Sequence, residues 1–244
     1  MIRKAIIIYC DDTESGELKG PIADNINLNH HLTSTLGGEW YDSEILSLNN
    51  PTKSQVRIAI ARHLSGADYT FVVFSGHGYI STLDDKQYVE LADGDITVRD
   101  LLSNAKRQTI IIDACRGYYT PTTKLFSKGV EGIYDSFTGE PSTRKLFSDH
   151  VLNCEAGLTV LFAASENESA TDSDKGGAYL YSLLKVCELW NGTEKGSKLS
   201  VKNAHDLGTK YMKNNFDTIQ NPAMNSEKRK RYFPLAVKWT AINE

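Results

Sequence analysis

Short apolar runs of strand length alternate along the chain with stretches of helical period. Ala5-Ile6-Ile7-Ile8-Tyr9 is β-branched and almost unbroken, which predicts a strand buried on both faces. Residues 21–36 carry Ile22, Ile26, Leu28 and Leu32 at a rough helical spacing, and 44–48 read as a short strand. Asn50-Pro51-Thr52 opens a helix that runs to about Leu64. Tyr69 to Phe74 is a further strand, and loose alternation with Asp-Asp and Asp-Gly-Asp turns over 79–95 predicts a surface hairpin. A short helix over 98–105 leads to the strand 109–112, after which a polar stretch rich in Pro, Gly, Ser and Thr runs over 118–140. The alternation resumes with helices near 142–155, 178–190 and 200–214, a strand over 158–163 and a last strand over 233–239. Such alternation predicts a single α/β domain, a sandwich around a mostly parallel sheet.

Composition narrows the classes. The chain has 244 residues, 40% hydrophobic and 24% charged, with a formal net charge of −4. That apolar content excludes a disordered chain, and no apolar run approaches the ~18 residues of a membrane span. The apolar start breaks at Asp11-Asp12, too early for a secretory signal, which gives the expectation of a cytoplasmic protein with no membrane partner. Cys10, Cys115, Cys154 and Cys187 are far apart, unlike a disulfide framework or a zinc ribbon. The mildly acidic balance gives no pull toward nucleic acid, and Lys228-Arg229-Lys230-Arg231 reads as a solvated basic loop before a strand.

In open α/β sheets, ligands sit at the carboxyl ends of strands. Two such ends stand out: one strand delivers Ser75-Gly76-His77-Gly78, the other Asp113-Ala114-Cys115-Arg116-Gly117. On neighbouring strands these would present an imidazole beside a thiol, with glycines that let backbone amides face a substrate. His30, His31, His63, His150 and His205 lack that context and fall on helices, the last two on polar faces; Cys10, Cys154 and Cys187 read as packing residues. A phosphate-cradling G-x-x-x-x-G-K-[ST] loop is missing, which disfavours a nucleotide-binding module.

The two motifs, 38 residues apart from His77 to Cys115, resemble the histidine and cysteine motifs of the caspase–metacaspase superfamily. Leu18-Lys19-Gly20-Pro21-Ile22-Ala23-Asp24 resembles the metacaspase segment after the first strand, and Ala164-Ser165-Glu166-Asn167-Glu168-Ser169-Ala170 its later pocket loop. Gln220-Asn221-Pro222 and Phe233-Pro234-Leu235 resemble the family's C-terminal end. The resemblance implies a caspase-like three-layer α/β/α sandwich with about six strands in its sheet. It also implies a large-subunit-like part over 1–117, a cleavable loop over 118–140 and a small-subunit-like part over 141–244.

The implied activity is that of a cysteine endopeptidase acting on protein or peptide substrates. Cys115 is the nucleophile, His77 its base, and the N–H groups of Gly78 and Cys115 form the oxyanion hole, with no third triad member evident. Asp113 takes the place of the glutamine that caspases carry two residues before the cysteine, and Asp24 matches the other acidic pocket position of metacaspases. With Ser165, these residues imply a P1 pocket for Arg over Lys. Two alternatives stay open: an aspartate-directed enzyme with Arg116 turned inward, and a non-catalytic scaffold. Lys124, Lys128, Arg144 and Lys145 are the candidate processing sites, against an uncut loop. No cofactor is expected; Arg99, among acids at 84–100 where many metacaspases bind calcium, opposes that metal. Some small stand-alone bacterial members of the superfamily act in programmed cell-death or antiviral pathways, which the resemblance makes an expectation here; metacaspases are usually monomers, with pairing through the last strand, as in caspases, the alternative.

Overall fold

The computed structural model describes residues 1–119, 143–192 and 198–239. Strand β1 (Arg3–Tyr9) is followed by a short hairpin, β2 (Asp12–Thr13) and β3 (Gly16–Glu17), and by helix α1 (Gly20–Thr33). Then come β4 (Ile45–Asn49), α2 (Lys53–His63) and β5 (Tyr69–Ser75). An antiparallel meander of β6 (Gly78–Ser81), β7 (Gln87–Leu91) and β8 (Gly94–Thr97) precedes β9 (Arg107–Asp113) and the brief β10 (Tyr118–Tyr119). The remainder is α3 (Thr143–Leu152), β11 (Gly157–Phe162), α4 (Ala178–Leu189), β12 (Lys198–Ser200), α5 (Val201–Asn215), β13 (Ala223–Ser226) and β14 (Pro234–Val237).

The central sheet runs β13-β11-β9-β5-β1-β4, parallel throughout except for β13 at its edge. Its middle strands read as continuous apolar runs because successive side chains feed two cores. Ile6, Ile8, Val72, Phe74, Ile110 and Ile112 pack with Val56 of α2 and Val89 and Leu91 of β7. Ala5, Ile7, Phe71, Val73 and Ile111 pack on the other face with Leu28 of α1, Phe147 of α3 and Leu180 and Leu183 of α4. Each such buried Val, Ile, Leu or Phe side chain contributes about 1.5–3 kcal/mol. The result is the expected sandwich, with the meander supplementing α2 on one face.

Four expectations need correction. The stretch 79–95 is more than a hairpin: β10 adds parallel to β6, giving a side sheet ordered β10-β6-β7-β8. The helix expected over 98–105 is a single 3₁₀ turn, Val98–Leu101, opened by the Asp100 carboxylate accepting from the Thr97 N–H. The last strand, β14, lies in the helical layer paired with β12 rather than in the central sheet, and the Val237 N–H donates to Leu36 O on its other edge. The antiparallel edge of the central sheet, β13, has the sequence Ala-Met-Asn-Ser, which carries no β-branched signal. Within the basic run after it, Arg229 is not solvated: its guanidinium lies 4.7 Å from the Phe233 ring centroid.

Candidate active site

Strands β5 and β9 pair in parallel with Ser75 opposite Asp113, so the two chemistry-bearing tips leave the sheet side by side. His77 and Cys115 line one pocket with Leu18, Gly76, Asp113, Thr171, Asp172 and Gly177. No hydrogen bond joins the thiol and the imidazole. The Sγ of Cys115 accepts from the Ala170 N–H at 3.3 Å, and Nε2 of His77 stands 3.1 Å from the Gly16 carbonyl on the β2–β3 hairpin. A carbonyl only accepts, so Nε2 carries the proton and Nδ1 is the basic nitrogen of the neutral ring. Gly16 thus orients the histidine, a part that sequence reading missed because a backbone carbonyl leaves no residue signature.

The backbone donors can be placed from the ladder. Glu90 N–H donates to His77 O, which makes Gly78 and Val89 a non-hydrogen-bonded pair and turns the Gly78 N–H away from β7. Farther along β6, Ile80 and Thr82 donate on that same side to Gly117 O and Tyr119 O. The Gly78 N–H therefore points toward the Cys115 turn, and the Cys115 N–H has no partner among the described residues. Gly78 has no room for a side chain: a Cβ there would stand 2.8 Å from Tyr88 O.

The acids form a layered group. Asp24, expected in the P1 pocket, is sealed, 0% exposed, and does not line the pocket. Ser75 Oγ donates to it at 2.6 Å, and the Gly177 N–H reaches both of its oxygens at 3.1 Å. Asp113 lines the pocket and accepts from Leu180 N–H at 2.8 Å, in the first turn of α4. Asp172, which sequence reading missed, lines the same pocket and accepts from Lys19 and Gly20 N–H at 2.9 and 2.8 Å, at the start of α1. Two helix N-termini thus converge here, where their dipoles favour anions. Burial pushes Asp113 up to about 7, against the Leu180 N–H and helped by the charge of Asp172. Asp24 is raised as well, by burial first and then by Asp113. The carboxylate of Asp113 fits only because residue 177 is glycine; a Cβ there would lie 2.7 Å from it.

The other named residues fall elsewhere. Ser165 is outside the pocket lining, its hydroxyl donating to Asn221 O at 2.8 Å, and Ala170 to Asp172 occupy the wall it was expected to form. Arg116 is turned away: its Nε donates to Gln87 Oε1 at 3.0 Å and its guanidinium lies 4.2 Å from the Phe162 ring centroid. Lys124 and Lys128 lie outside the described residues. Arg144 and Lys145 sit in the first turn of α3, where helical backbone is unavailable to a protease. Arg144 is also clamped at 2.6 Å by both oxygens of Glu44, so neither residue suits processing. His31 meets Leu235 O, His63 the carbonyls of Ala5 and Glu44, and His205 the Tyr179 hydroxyl, while Cys10, Cys154 and Cys187 are buried.

Among the described residues, no group of three or more His, Cys, Asp and Glu side chains is placed to hold a metal ion. Asp84, Asp95 and Asp100 are engaged separately, by Lys86, Tyr79 and Thr97. No helix of the described residues is long and apolar enough to cross a membrane. A larger hollow, of about 490 Å³, lies at the opposite end of the sheet between Leu64 and Ala105, remote from Cys115.

None of the curated proteins matches the chain. Among solved structures, the crystal structure of caspase-1 from Spodoptera frugiperda is similar with a TM-score of 0.61 and 13% identity, covering 91% of this chain and 85% of that one. Likeness at that identity speaks for the fold alone. The caspase-domain family matches residues 2–234, nearly the whole length. With a caspase-like sheet carrying cysteine and histidine at adjoining tips, the chain belongs to the caspase-domain family of cysteine peptidases.

Proposed function

We propose that the protein is an endopeptidase that cuts after basic residues, Arg in preference to Lys, through a Cys115–His77 dyad. The observation that carries this reading is that Asp113 and Asp172 line the same pocket as Cys115 and His77. Paired carboxylates favour a guanidinium, which can bond both, over the point charge of an ammonium. Nδ1 of His77 takes the thiol proton as Sγ attacks the scissile carbonyl, and the N–H groups of Gly78 and Cys115 receive the oxyanion. His77 then gives that proton to the leaving amine. Water cleaves the thioester left on Cys115, with His77 again taking a proton, and the thiol is restored as the carboxylic product departs.

Ala170, Thr171, Asp172 and Gly177 form one wall of this pocket, the 170–177 wall. The commitment of Arg116 to Gln87 and Phe162 weighs against the aspartate-directed alternative, which needs a cation facing the pocket. The proposed chemistry requires no metal, so a chelator leaves the rate unchanged. The protein is proposed to act as a cytoplasmic monomer, in the cell-death or antiviral setting that the resemblance implies.

The test is hydrolysis of matched reporter peptides with Arg, Lys, Asp or citrulline at P1, by wild type and Cys115→Ala. Cleavage ordered Arg over Lys, abolished in Cys115→Ala, is the expected outcome. Preference for Asp, or hydrolysis that survives the substitution, overturns the proposal.

A further inference from the structure

Strand β7 touches both members of the proposed dyad. Gln87, at its start, reaches the nucleophile turn with both ends of its side-chain amide: Nε2 donates to Cys115 O at 3.1 Å, as well as to Tyr88 O at 3.1 Å, and Oε1 accepts from Arg116 Nε at 3.0 Å. Arg116 is itself held against Phe162 and the Ala164 carbonyl, so one amide fixes both residues of the turn to a rigid strand. The Cys115–Arg116 peptide is thus held at its carbonyl by Gln87 and at its N–H by Glu168 O, 2.8 Å away.

Glu90, three residues along, holds His77 from two sides. Its N–H donates to the His77 carbonyl at 3.0 Å. Its carboxylate accepts from the hydroxyls of Thr13 at 3.0 Å and Ser15 at 2.7 Å, in the hairpin whose Gly16 carbonyl meets His77 Nε2. Strands β2 and β3 have only two residues each, and an isolated two-stranded hairpin is marginal in water. The Glu90 carboxylate ties the hairpin to β7, while Asp12 N–H on Asn50 Oδ1 and Leu18 N–H on Asp11 O hold its base.

We propose that Gln87 and Glu90 are positioning residues, through which one strand sets the geometry of nucleophile and base together. The proposal rests on reading Cys115 and His77 as the dyad. It assigns separate consequences to the two side chains. Losing Gln87 releases the nucleophile turn but leaves the ring alone. Losing the Glu90 clasp frees the Gly16 carbonyl, so the imidazolium loses its acceptor and Nδ1 its aim toward Cys115.

The experiment measures kcat and KM on a P1-Arg peptide, together with the pH dependence of Cys115 alkylation by iodoacetamide, for Gln87→Ala and Glu90→Ala. Because Cys10, Cys154 and Cys187 are buried, alkylation reports Cys115, with Cys115→Ala as the blank. Thr13→Val with Ser15→Ala removes the same two hydrogen bonds from the surface hairpin and decides the matter should Glu90→Ala fail to fold. Asp84→Asn, in the turn before β7, is the control and keeps wild-type kinetics. We expect kcat to fall about ten- to a hundredfold with KM within about threefold. The alkylation profile should move for the Glu90 and hairpin variants and stay in place for Gln87→Ala. Folded variants with wild-type kcat and profile, or losses that track only the fraction folded in a thermal melt, overturn the proposal. Hydrolysis surviving in Cys115→Ala would instead sink the dyad reading beneath it.

Discussion

If Asp113 must be ionised to hold a P1 guanidinium, recognition of arginine is pH-dependent in a way that recognition of its neutral isostere citrulline is not. With Asp113 raised to about 7 by burial, it is about one-tenth ionised at pH 6 and about nine-tenths at pH 8. The affinity of Arg relative to citrulline should therefore rise about tenfold across that interval, about 1.4 kcal/mol. The measurement is calorimetric titration of Cys115→Ala with P1-Arg and P1-citrulline peptides, in two buffers of different ionisation enthalpy. His77 and the exposed acids of the 170–177 wall meet both peptides, so the ratio cancels their common contribution. Near pH 7, binding of the arginine peptide should also release about half a proton more than binding of citrulline, because the incoming cation completes the ionisation of Asp113. In Asp113→Asn, whose amide oxygen can still accept from the Leu180 N–H, the pH dependence of the ratio should vanish. A ratio that stays flat from pH 6 to 8, with equal proton release, would refute the assignment of Asp113 to the cation.

Two further outcomes follow from charges in the interior. Asp113 titrates higher in the folded chain than the ~3.9 of an unfolded aspartate, so the native state holds the extra proton between about pH 4 and 7 and stability falls as pH rises through that window. Urea unfolding of Asp113→Asn should lose this slope, up to about 1.4 kcal/mol per pH unit, whereas an unchanged slope would place the titration elsewhere. Glu44 stands 3.5 Å from the fully buried Arg3 and pairs with Arg144, so Glu44→Ala should cost about 3–5 kcal/mol in unfolding free energy by leaving a buried cation uncompensated; a loss under about 1 kcal/mol contradicts this.

The parts of the fold that were legible in the sequence are those with a local cause. Ile6 to Ile8, Phe71 to Phe74 and Ile110 to Ile112 announce the buried parallel strands because both of their faces are apolar, and the tips that follow them carry His77 and Cys115. What failed to show depends on distant chain. The edge strand β13 is made by pairing with β11 rather than by its own composition, and β14 joins the helical layer because its partner is β12. Asp24 is expected in the P1 pocket from the resemblance alone; that it is buried instead depends on Ser75 and Gly177, which come from two other segments. Asp172 and the Gly16 carbonyl had no motif to mark them, since one acts from a loop across the pocket and the other through its backbone.

The clamp on Arg144 bears on what scission would accomplish. Beyond residue 142 the chain is fastened at once, by Glu44 and by the ring of Tyr41, 3.7 Å from the guanidinium carbon, and β11 then zips beside β9 from Arg107 to Ile112. A nick between residues 119 and 143 would thus leave two fragments sharing one sheet, inseparable under native conditions and resolved only in denaturant. Intact native mass would be no sign of an uncut polypeptide.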